Sequence, residues 1–62
     1  MTVYIVTWVE FVGLDKKPKG MIGGVFRKDW EAEDCRKDMQ RDLEERKATY
    51  TDLRIATLNV WD

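Results

Sequence analysis

Read at a period of two, the segment Val3-Tyr4-Ile5-Val6-Thr7-Trp8-Val9-Glu10-Phe11-Val12 is apolar in both phases. Successive side chains of a strand point to opposite sides. One side therefore carries Val3, Ile5, Val9 and Phe11, and the other carries Tyr4, Val6, Trp8 and Val12. Residues 2 to 12 predict a strand on β propensity as well. Gly13 to Gly20, with lysines around Pro18, predicts a loop. Met21 to Phe26 predicts a second strand, interrupted at Gly23-Gly24, where a bulge or a close backbone approach is expected.

The period then changes. At about 100° per residue, Ala32, Cys35, Met39 and Leu43 fall on one narrow stripe, which predicts a helix from Trp30 to Lys47. Asp29 is the expected N-cap, and Glu31, Glu33 and Asp34 suit the positive end of the helix dipole. Ala48 to Asp52 predicts the turn out. Leu53 to Trp61 predicts a third strand with Leu53, Ile55 and Trp61 on one face and Ala56, Leu58 and Val60 on the other.

The predicted order is β-β-α-β. A right-handed crossover makes strand 3 parallel to strand 2. With the long apolar first strand in the centre, the sheet order is 2-1-3 and both neighbouring pairs are antiparallel. The expectation is an α+β fold, residues 1–62 forming one domain with a three-stranded antiparallel sheet and one helix on one face. A single helix cannot cover both apolar sides of the first strand. The other side calls for a second copy or a partner. The amphipathic rings of Tyr4 and Trp8 suit an interface, so they are assigned to the free side together with Trp61.

Composition narrows the chemistry. The chain has no His and a single Cys, which leaves no disulfide framework or Cys/His metal site within one chain. Association is the remaining way to stabilise so small a core. Without His the usual base near neutral pH is missing. Cys35 lies on the apolar stripe, where a thiol is inert. Glu44 and Glu45 point in different directions from a helix, and Gly23-Gly24 lacks the spacing of a phosphate loop. No enzyme, cofactor or metal is expected. No basic leader precedes the apolar run, which reaches Glu10 well short of a membrane span, so a cytoplasmic protein is expected.

Net charge is only −1, but its distribution is uneven. Lys16, Lys17, Lys19, Arg27 and Lys28 lie early in the chain. On the helical projection Glu31, Asp34, Asp38, Asp42 and Glu45 share a flank, with Arg36, Lys37 and Lys47 elsewhere. Neighbours on that flank are ~5–6 Å apart by Cβ, near the spacing of phosphates along a strand. The flank therefore reads either as a solvated face or as a DNA mimic that occupies a basic protein surface. The alternative is a nucleic-acid module in which the early lysines and arginine hold phosphates while Tyr4, Trp8 and Trp61 stack bases. The small net charge gives that alternative little electrostatic drive.

The layout Tyr4-x-Val6-x-Trp8, followed by Gly24-Val25-Phe26 and, six residues on, Ala32, resembles a group of small ββαβ proteins of bacteria and phages, mostly without assigned function. The chain departs from them at Lys28, where such sequences often place a Ser cap. The resemblance implies the fold and a phage or mobile-element origin, hence a host-cytoplasm location, and it transfers no catalytic residue. The combined expectation is a non-enzymatic interaction protein that forms a homodimer through its free sheet face, and a phage-type inhibitor if the acidic flank engages a host macromolecule.

Overall fold

The computed structural model describes residues 1–61. β1 (Thr2–Val12) and β2 (Lys17–Phe26) form a hairpin, α1 (Asp29–Glu45) crosses one face, and β3 (Thr49–Asn59) returns beside β1. The sheet order is β2-β1-β3 with both pairings antiparallel, the α+β arrangement predicted from the pattern.

The strands are longer than expected. The β1–β2 ladder runs to Val12 opposite Lys17, so the expected loop shrinks to residues 13–16. Gly13 at φ +80° and Lys16 at φ +53° make the reversal, and the Lys16 N–H donates to the Gly13 carbonyl at 3.3 Å. Each added rung satisfies backbone groups of β1, which outweighs the weak strand propensity of Lys, Pro and Gly. Pro18 is tolerated because β2 is an edge strand. β3 likewise starts at Thr49, where Thr49, Tyr50 and Thr51 pair with Phe11, Glu10 and Val9.

The helix begins at Asp29, with the extended Lys28 at the N-cap and no side-chain cap bond. Asp29 is thus the first helical residue, not the cap. Its carboxylate accepts from the Trp30 N–H at 2.8 Å and remains at the positive end of the dipole. At the other end the Ala48 N–H donates to the Leu43 carbonyl at 2.9 Å and the Lys47 N–H to the Glu44 carbonyl at 3.1 Å. This is a Schellman motif, with Lys47 at φ +55° in the place that glycine favours.

The core lies between α1 and the even-numbered side of β1. Val6 and Trp8 meet Ala32 and Leu43, flanked by Tyr4, Met21, Phe26, Met39, Leu53 and Ile55. The outward assignment of Tyr4 and Trp8 is therefore overturned, and Trp8 is 6% exposed. The reason is the space its indole needs. Both neighbouring strands bulge beside Trp8, at Gly23 in β2 and at Asp52-Leu53 in β3. A Cβ on Gly23 would lie 3.0 Å from Trp8 Cζ3 and 3.2 Å from Met39 Cγ. On this side the absent Cβ of Gly23 leaves the ring its space.

Candidate functional site

With the helix on the even side, the odd side of the sheet is bare. The molecule measures 43 × 21 × 12 Å, the thin dimension being one sheet and one helix. The register places Val3, Ile5, Thr7, Val9 and Phe11 along the middle of this side. Val25 and Ile22 of β2 flank Ile5 and Thr7, while Leu58 and Ala56 of β3 flank Val3 and Ile5. Met1 and Val60 extend the side through reciprocal backbone hydrogen bonds of 3.0 and 2.7 Å. Exposure is high at its margins: Met1 50%, Ile22 69%, Val25 58% and Leu58 53%. The central strand is half-buried by its neighbours, and Val3 is buried although no helix covers it.

Strands of eleven residues at ~3.3 Å each, three abreast at ~4.8 Å, give this face roughly 500 Å². A patch at the upper end of what a single chain leaves open to water often marks an interaction site. Its polar positions gather on the lower half of β3. There Asp52 and Arg54 border a shallow depression of about 400 Å³ together with Thr7, Val9, Gly20 and Ile22. The residues that enlarge the face, Ile22, Val25 and Leu58, were missed as site residues. They belong to it through register with Thr7, Ile5 and Val3, which follows once the side of Trp8 is fixed.

The two edges of the sheet are less inviting. β2 carries Pro18, lysines and the Gly23 bulge, and β3 carries a bulge with Asp52 at φ +58°. Interruptions of this kind hinder strand addition.

The acidic flank is a mixed-charge surface over half its length. Arg41 Nη2 bonds Asp38 at 3.1 Å and Arg46 Nε bonds Asp42 at 3.0 Å, while Asp34 and Glu45 are exposed and Glu31 is half-buried. On another part of the helix Arg36 pairs with Glu33, whose carboxyl is held below the usual range by that hydrogen bond.

The basic residues do not converge. Lys16, Lys17 and Lys19 sit at the hairpin end, with Lys17 3.4 Å from Asp15. Arg27 and Lys28 lie past the other end of β2, roughly 30 Å away along a ten-residue strand. The Lys28 ammonium stands 5.8 Å from the Trp30 ring centroid, a cation–π contact. Trp61 is 96% exposed beyond the end of β3, whereas Tyr4 and Trp8 lie under the helix. The base-stacking surface expected from these three rings is therefore not formed.

Burial, and secondarily the charge of Asp38, push the Cys35 thiol up, away from a reactive thiolate. Among the described residues no group of three or more His, Cys, Asp or Glu is placed to hold a metal ion. No helix among them is long and apolar enough to cross a membrane. Compared with protein-family models, with curated proteins and with solved structures, the chain matches none.

Proposed function

We propose that the protein is a non-enzymatic interaction protein whose working form is a homodimer, two copies stacked through the odd side of the sheet. The observation that carries this reading is the row of exposed apolar side chains at Met1, Ile22, Val25 and Leu58 around half-buried Ile5, Val9 and Phe11. Stacking two such faces removes roughly 800–1,000 Å² from water, the size of the smaller specific interfaces. A two-fold dimer uses one patch twice and is the commonest closed assembly. The interrupted edges favour face-to-face stacking over strand addition.

In this dimer both helices face outward. Their acidic flanks, with Asp34 and Glu45 exposed, are then presented to a macromolecule with a basic surface, in the manner of an inhibitor. The separation of the lysines from Arg27 favours this over a nucleic-acid target.

The test is a charge placed on the exposed apolar margin of the face. Ile22→Lys and Val25→Lys replace exposed side chains, so each variant keeps the circular dichroism of the natural chain. Each is expected to sediment as a monomer where the natural chain is a dimer. Variants that associate as tightly as the natural chain would contradict the stacked face.

A further inference from the structure

The depression on the bare face is self-complementary, which sets how two copies would meet. Gly20 and Ile22 are successive same-side positions of β2, opposite Val9 and Thr7. A Cβ on Gly20 would find no atom within 4 Å, so the backbone there floors an open notch, while Ile22 stands 69% exposed beside it. On β3 the same two rows carry opposite charges. Arg54 is level with Thr7, and Asp52 lies in the bulge between that row and Thr51, which is level with Val9. Among the described residues neither charge is in an ion pair.

Resting on the stacked-face reading, we infer that the second copy lies antiparallel to the first, turned about a two-fold axis that crosses the sheet beside Trp8. That rotation exchanges the Thr7 and Val9 rows. Ile22 then enters the notch over Gly20 of the second copy, and Arg54 meets Asp52 of the second copy, each contact made twice. The axis lies near the middle of β1 (Thr2–Val12), so the rows from Tyr4 to Val12 overlap, while Val3, Leu58 and Met1 reach over the hairpin turn of the second copy. A two-fold axis along the strands would instead set Arg54 over Ile22 of the second copy and bury an unpaired guanidinium, which is costly. The notch and the charges select the same arrangement independently.

Charge reversal in trans tests it. Arg54→Glu and Asp52→Lys each place like charges at both contacts, and each is expected to weaken the dimer roughly tenfold or more by sedimentation. Lysine is tolerated at position 52, since Lys16 and Lys47 already adopt positive φ in this chain. An equimolar mixture of the two variants is expected to recover dimer. In the mixed dimer one contact carries both reversals and the other carries neither, so both attract. Single variants that dimerise like the natural chain, or a mixture as weak as either alone, would overturn the orientation while leaving the stacked face standing. A natural chain that is monomeric at every concentration would remove both.

Discussion

Arg46 reaches across the fold to Glu10, its Nη2 lying 3.3 Å from the Glu10 carboxylate while its Nε holds Asp42 at 3.0 Å. The end of the helix is thereby fastened to the central strand. The Trp8 indole N–H donates to the same carboxylate at 3.2 Å, so the only polar atom of the core indole is satisfied at the rim of the core.

This arrangement makes stability depend on acid. The hydrogen bond from Arg46, then that from Trp8, holds the Glu10 carboxyl below its ordinary 4.5. A carboxyl lowered in the folded state stabilises the fold above its unfolded value and loses that contribution as pH falls through the folded one. Thermal unfolding at fixed protein concentration is expected to show a melting temperature that drops as the solution is acidified below about 4.5. Glu10→Gln should cost roughly 1 kcal/mol at neutral pH and flatten the acid limb. Glu33, lowered by Arg36, contributes to the limb of both proteins, so the difference between them isolates Glu10.

The socket for Trp8 predicts intolerance at Gly23. A side chain there meets the buried indole at 3.0 Å and half-buried Met39 at 3.2 Å, and the indole is enclosed by the core. Gly23→Val is expected to destabilise by roughly 2 kcal/mol through overpacking, read as a lower urea midpoint.

Leu43 is fully buried at the end of the helix stripe. Leu43→Ala should cost about 2–5 kcal/mol. That is a large part of the roughly 3–9 kcal/mol available to a domain of 62 residues. Loss of the cooperative thermal transition in circular dichroism is the expected result.

Four residues on, the effect has the opposite sign. Lys47 holds φ +55° at the helix C-terminus, a conformation that glycine adopts without the Cβ penalty. Lys47→Gly is expected to stabilise by up to about 1 kcal/mol, measured by the same unfolding curves.

The element order and the strand order were legible because the period of the apolar residues changes from two to 3.6 and back along the chain. Strand lengths were not, because Lys17 to Gly20 and Thr49 to Thr51 owe their pairing to the long apolar strand beside them. The choice between the two sides of β1 was the consequential miss. Both sides are apolar, and the amphipathic character of Tyr4 and Trp8 pointed outward. The decisive signal was Gly23-Gly24, which predicts a bulge or a close backbone approach but does not by itself mark a socket for an indole two positions along the neighbouring strand. With Trp8 inside, the uncovered apolar side is that of Ile5, Val9, Ile22, Val25 and Leu58, residues with no polar atom on their side chains to mark them. The acidic flank was visible as a helical spacing, whereas its pairing with Arg41 and Arg46 depends on side-chain conformation.

The stacked sheet is tested most directly by the solution mass of the natural chain across a concentration series. Sedimentation or light scattering should give twice the 7.4 kDa chain mass down to low micromolar concentration. A mass that stays at 7.4 kDa up to the highest concentration reached would contradict the account.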